Sequence, residues 1–144
     1  MDKLCQTYGY ASDGESFSIA DPNEVWLMEL VGKGKEKGAV WVASRVPDGY
    51  VGSTANQART QTWDWTDTNG TNVLWAEDVV DFAVKKGLYP ATAKKEDFSF
   101  ADVYDPPSFG GLRLGVFFSL SNGCGLQSLV VNFICSLYDL QFFC

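Results

Sequence analysis

Between Glu15 and Val46 the chain reads as three short strands joined by two connections too polar to bury. Phe17 to Ala20 and Val25 to Val31 are apolar, aromatic or β-branched, and such side chains suit a pleated, half-buried surface. Asp21-Pro22-Asn23-Glu24 between them is turn chemistry, with Pro22 pre-set for the first corner, so the two runs predict a hairpin. Gly32 to Gly38 alternates Lys33, Lys35 and Lys37 with Gly and Glu and reads as a flexible, solvated loop rather than a basic patch. Ala39 to Val46 resumes the strand pattern until Pro47-Asp48-Gly49 stops it. Three antiparallel strands in succession make a meander, and its end delivers Ser53-Thr54-Ala55-Asn56-Gln57-Ala58-Arg59. This run of small and amide side chains is poor strand material and poor core material. At the end of a rigid sheet it is where polar groups are held for a ligand.

Composition narrows the chemistry. A chain of 144 residues is one domain's worth, and 15% aromatic with 20% charged residues predicts a packed globular protein. The net charge of -7, with no face that clusters Lys and Arg, argues against a nucleic-acid partner. Cys5, Cys124, Cys135 and Cys144 have no C-x-x-C spacing and no histidine beside them, so they read as free thiols, and neither a metal nor a cofactor is expected. The start, MDKLCQTYGY, shows no apolar stretch behind a basic one, so no secretory signal is read there. Zero histidine also removes Cys-His and Ser-His-Asp machinery, because no imidazole is available as the base. A thiol mechanism that needs none uses the nucleophile's own α-amino group, whose pKa near ~8 lets it take the thiol proton around neutral pH.

Elsewhere the bland readings are preferred. Glu15 and Glu24 flank the first hairpin and Glu29 sits within a strand; all three are expected as solvated or strand-edge charges, with a carboxylate pointing into a cleft as the alternative. Trp63, Trp65 and Trp75 surround Asn69-Gly70, a tight-turn pair, and are expected in the core or a cleft wall rather than as a sugar-stacking surface. Asn69-Gly70-Thr71 matches the N-glycosylation acceptor pattern and is read as a turn. Ala76 to Lys86 is the clearest helix, with Glu77 and Asp78 at its start, Val79, Val80, Phe82 and Ala83 on one face, and Gly87 as its stop. Asp97 to Pro107 carries Phe98 and Phe100 and ends at a double proline. Residues 114–144 change character, with Asp139 as their one charge. They are read as a tail foreign to the rest, as translation through an unspliced or mis-joined junction would produce. A membrane anchor from Leu126 to Cys144 is the alternative, but Gln127, Asn132, Asp139 and Gln141 interrupt it.

YGYASDGESFSIADPNEVWLMELVGKG, GAVWVASRVPDGYV, ANQAR, LWAEDVVDFAVKKGLY and DFSFADVYDPPSFGGLR, in this order from Tyr8 to Arg113, resemble the dipeptidase family of N-terminal nucleophile hydrolases, whose relatives include bacterial dipeptidase A and the secernins. The resemblance implies an α+β fold, here a fragment of the αββα sandwich with an antiparallel meander plus one or two helices, in residues 1–113. It implies a cysteine-type hydrolysis of dipeptides: an N-terminal Cys attacks the peptide carbonyl, an acyl-enzyme forms, and water releases the amino acid. Small peptides are then the substrate.

Asn56, in ANQAR, matches the family position of an oxyanion donor, a role worth about 2.7–4 kcal/mol for one hydrogen bond; its alternative is an amide that satisfies a loop backbone. Arg59 is the second choice, as the group that positions a substrate carboxylate, against a structural salt bridge to a neighbouring Asp or Glu. The family's opening, a Cys followed by a strand and a loop with Arg and Asp, is absent. Cys5 has no such strand behind it and reads as an ordinary thiol. The chain alone is therefore expected to be an inactive fragment. The alternative is a non-catalytic, secernin-like or truncated interaction protein.

Overall fold

The computed structural model describes residues 1–10, 14–54, 57–105, 118–119 and 141–142, with 53–54, 118–119 and 141–142 described by their backbone alone. The chain opens with helix α1 (Asp2–Tyr8) and then forms β1 (Glu15–Ala20), β2 (Val25–Gly32) and β3 (Ala39–Arg45). The hairpin pairs along its whole length, from Glu15↔Leu30 to Ala20↔Val25. Its turn is closed by Asp21, whose carboxylate accepts the N–H groups of Asn23 at 2.7 Å and Glu24 at 2.9 Å. Those two bonds hold the Asp21 carboxyl below the usual carboxylate range. β2 and β3 pair antiparallel from Trp26↔Arg45 to Gly32↔Ala39, which completes the expected meander.

The sheet has one strand more than expected. After the two-residue strands β4 (Tyr50–Val51) and β5 (Ser53–Thr54), β6 (Val73–Trp75) lies antiparallel against the free edge of β3, giving the order β1-β2-β3-β6. Three residues inside a polar stretch leave no visible alternation in sequence. Their position is fixed instead by Asp67, whose carboxylate takes the N–H groups of Thr71, Asn72 and Val73 at 3.0, 2.6 and 3.1 Å. Gly70 has the positive φ of 66° expected of its turn. The backbones of β4 and β5 pair antiparallel with β7 (Phe118–Ser119) and β8 (Gln141–Phe142).

Alternation along the strands divides the sheet into two faces. Val40, Val42 and Val73 point to the face covered by α2 (Val79–Lys85) and α3 (Phe100–Tyr104), where Val79, Phe82, Ala83, Phe98 and Phe100 complete the core. Met28, Leu30, Ala39 and Ala43 point the other way and pack with Cys5 of α1. Phe98 and Phe100 are fully buried, and burying each such side chain contributes about 1.5–3 kcal/mol. Trp63 lies 4.3 Å from Trp65 and 6.0 Å from Phe98 between ring centroids, and Trp65 lies 5.3 Å from Trp75. The tryptophans therefore pack against the core, as read, and the Lys95 ammonium covers Trp65 at 4.3 Å.

Three expectations need correction. The β2–β3 connection is solvated but not free: Lys33 is bonded to Asp78, Lys37 donates to the Thr7 carbonyl at 2.8 Å, and Glu36 accepts from Lys85 at 2.9 Å and Lys86 at 2.8 Å. Three of these partners lie 45 to 50 positions further along the chain, beyond the reach of local pattern. The second helix starts later than Ala76, because the Ala76 N–H still donates to Trp41 at 2.9 Å, as in an extension of β6. Glu77 and Asp78 thus precede the helix, and the Asp78 carboxylate serves Lys33 instead of capping. Among the described residues there are three α-helices and a 3₁₀ turn at Lys95–Asp97, where one or two helices were expected. The added α3 is only 5 residues long and forms because the Ser99 hydroxyl oxygen caps it, accepting the Asp102 N–H at 3.2 Å. No helix among the described residues is long and apolar enough to cross a membrane; the stretch considered as an anchor lies outside them apart from residues 141–142.

Candidate active site

Glu29 is the misfit of β2, a carboxylate between Met28 and Leu30. It shares the α2/α3 face with Val31, stands opposite Ser16 and Val42 in the ladders, and is 5% exposed. A buried carboxylate costs stability unless donors surround it. Here one oxygen accepts the Arg59 N–H at 2.6 Å and the other the Thr60 N–H at 3.0 Å. Burial pushes the Glu29 carboxyl above the usual range, against the opposing pull of Thr60 and Arg59. The expectation of a solvated or strand-edge charge is therefore wrong at Glu29, while Glu15 and Glu24 are exposed as expected.

The same loop is held from its other side. Asp105, just past α3, accepts the Ala58 N–H at 2.8 Å. The first two N–H groups of α3 donate into the loop, Phe100 to the Gln61 carbonyl at 3.0 Å and Ala101 to the Thr60 carbonyl at 2.9 Å. These are groups that a helix start leaves without an internal partner. Small and amide residues that pack poorly are thus fixed through their backbone, between the sheet and α3. The arrangement borders a half-open cleft of about 230 Å³ lined by Ser16, Glu29, Gln57, Ala58, Tyr104 and Asp105 among others. The Tyr104 hydroxyl donates to the Val79 carbonyl, and its burial, with the charge of Asp78, keeps it protonated well beyond the usual tyrosine range.

Of the two candidates from sequence, Arg59 is placed directly by Glu29, through its own N–H. Its half-buried guanidinium makes no ion pair with a described residue; burial lowers its pKa and the charge of Glu29 opposes that. Asn56 lies outside the described residues, two positions before the anchored Ala58. Cys5 is 3% exposed inside α1, on the opposite face of the sheet from Glu29, with its N–H donated to Met1 at 3.1 Å. It is a packing residue. Among the described residues no group of three or more His, Cys, Asp or Glu could hold a metal ion.

Asp105 and Tyr104 were given no role from sequence, since their partners lie 47 and 25 positions away. The signal that was available is the acid in the middle of an apolar strand.

Residues 1–113 match the model of peptidase family C69. A probable dipeptidase of Latilactobacillus sakei is 32% identical over 91 residues, and one of Salmonella dublin 38% over 88, covering 63% and 59% of this chain. The matched stretch makes up 18% of the length of each relative. No solved structure matches. Since the family match takes in β1 to β6, α1 to α3 and the loop held by Glu29 and Asp105, the chain belongs to peptidase family C69.

Proposed function

We propose that this chain supplies the substrate-holding part of a cysteine-type dipeptidase. The supporting observation is the 57–61 loop, in which three successive N–H groups and two carbonyls are bonded to β2 and α3 at the edge of a cavity. A loop fixed in this way holds side chains ready for a ligand without an ordering cost at binding. In this reading Arg59 takes the free carboxylate of a dipeptide and Asn56 donates to the oxyanion that develops at the scissile carbonyl.

The chemistry needs no imidazole. A terminal α-amine takes the proton of its own thiol, the sulfur attacks the carbonyl carbon, and the proton passes to the departing amine as the C–N bond breaks. Water then cleaves the thioester and restores the thiol. Cys5 does not serve, being buried in a helix, and no other thiol stands among the described residues. The chain of 144 residues is thus proposed to bind dipeptides without turning them over.

The test compares alanyl-alanine with its C-terminal amide, titrated into the chain and followed by calorimetry. Loss of a charge-assisted bond of about 1.5–3 kcal/mol predicts that the amide binds roughly 10- to 150-fold more weakly, and that Arg59→Ala abolishes the difference. Equal binding of both ligands to the wild type sinks the carboxylate role. Steady dipeptide hydrolysis by the Cys5→Ala chain, lost on Asn56→Ala, overturns the proposed lack of turnover.

A further inference from the structure

We infer that Glu29 is the positioning residue of this loop: its two carboxylate oxygens, each holding one of two successive backbone N–H groups, determine where the Arg59 guanidinium stands. The inference rests on the reading of Arg59 as the group that takes the substrate carboxylate.

The geometry favours Glu29 over packing as the cause. Gln57, Ala58, Arg59 and Thr60 are all only partly buried, so the loop has little apolar area with which to hold itself. Arg59 and Thr60 instead reach back 30 and 31 positions to one side chain in the middle of β2. That strand is paired on both sides, by β1 and by β3, and is one of the two inner strands of the sheet, a constrained place from which to hold a loop. The carboxylate also lies close enough to act on the Arg59 charge, opposing the effect of burial there, so one group holds the backbone of that residue and also bears on its charge.

The hold depends on ionisation. A carboxylate offers acceptors on both oxygens, which matches two N–H donors; a protonated carboxyl turns one oxygen into a donor that faces an N–H. Among the described residues, the other charged or titratable groups that line this place are Arg59 itself, Tyr104 and Asp105 at the end of α3, and Glu15 of β1, which by its pairing with Leu30 belongs to the opposite face of the sheet. β3 presents Val42 there and adds none. Burial raises the Glu29 carboxyl, which moves its release towards neutral pH and away from the ordinary acid range.

Two measurements test this on the chain of 144 residues. In the wild type, the amide shifts of Arg59 and Thr60 and the carboxyl carbon shift of Glu29 are followed by NMR against pH. All three share one midpoint, above the ordinary 4.5 of a glutamate. Separate midpoints overturn the inference without need of a variant. Then alanyl-alanine is titrated into wild type and Glu29→Gln across the same range, with the Val40 and Val42 amides as a check on the fold. The wild type loses about tenfold in affinity as pH falls through the midpoint, whereas Glu29→Gln is weak at every pH, because its amide presents only one acceptor. Full, pH-dependent affinity in Glu29→Gln overturns Glu29 as positioning residue. A wild type that fails to distinguish alanyl-alanine from its C-terminal amide overturns the Arg59 reading instead, and the positioning role with it.

Discussion

Asp105 accepts the N–H of Ala58 at 2.8 Å, joining the end of α3 to the loop across 47 positions of chain. Glu29 meets the next two N–H groups from the opposite side. Two acids from different elements thus give a fixed course to a segment that has neither the pattern of a strand nor the side chains of a core. The carboxylates take the place of a ladder partner for a backbone that is too buried to rely on water alone.

Asp105→Ala leaves the Ala58 N–H without its acceptor in a half-buried position, at a cost of about 1–3 kcal/mol. Urea unfolding measures the loss. Hydrogen exchange locates it, with Ala58 exchanging faster while Arg59 and Thr60, still held by Glu29, keep their protection. Unchanged exchange at Ala58 would show that the bond is not what holds it.

Phe98 is the hub of the aromatic cluster, fully buried and edge-on to Trp63 at 6.0 Å, Trp65 at 6.5 Å and Tyr89 at 5.1 Å. Phe98→Ala is expected to cost about 3–5 kcal/mol, with a red shift in tryptophan emission as water reaches the indoles. Leu74→Ala, at a side chain 44% exposed on the other face of the sheet, is the control, expected within about 0.5 kcal/mol of the wild type. Equal losses in the two variants would remove Phe98 from the centre of the core.

What could be read from the sequence is what local chemistry decides. Asp21-Pro22-Asn23-Glu24 names its own turn, and the apolar runs on either side pair in the register that the turn sets. The buried face of α2, with Val79, Phe82 and Ala83, follows from helical spacing and its end from Gly87. The readings that failed depend on partners far away in sequence. Glu29 looks like a surface charge until Arg59 and Thr60 are folded onto it, and Lys33 looks solvated until Asp78 arrives. The site is legible to the same limited degree: ANQAR points to the loop, and nothing within ANQAR says which acids fix it.

Gly87 has φ 71° and ends α2 in a Schellman motif, with the Leu88 N–H on the Ala83 carbonyl at 2.9 Å and its own on Val84 at 3.0 Å. A Cβ at this position meets nothing within 4 Å, so any penalty comes from the left-handed backbone alone. Gly87→Ala should cost about 1–2 kcal/mol in thermal or chemical unfolding. D-alanine at the same position, introduced by semisynthesis, should cost nothing, since its preferred backbone is the one already present. Destabilisation by both enantiomers would point to a steric cause and against this account.

Glu36 is the acid counterpart of Glu29 with the opposite sign. Lys86 and Lys85 at the end of α2 hold its carboxyl at about 2, below the ordinary 4.5, while it stays in solvent. A depressed folded-state value means that the unfolded chain binds the proton first. The stability that Glu36 adds is therefore present above its ordinary value and is lost as pH falls towards about 2. Glu36→Gln should lower the urea midpoint at neutral pH, and the gap to wild type should close between pH 4.5 and 2. Because the pair is exposed, the gap should also shrink in 1 M salt, where the screening length is about 3 Å. A gap that stays constant with pH and salt would mean that Glu36 acts by packing along the Lys85 and Lys86 side chains and not by its charge.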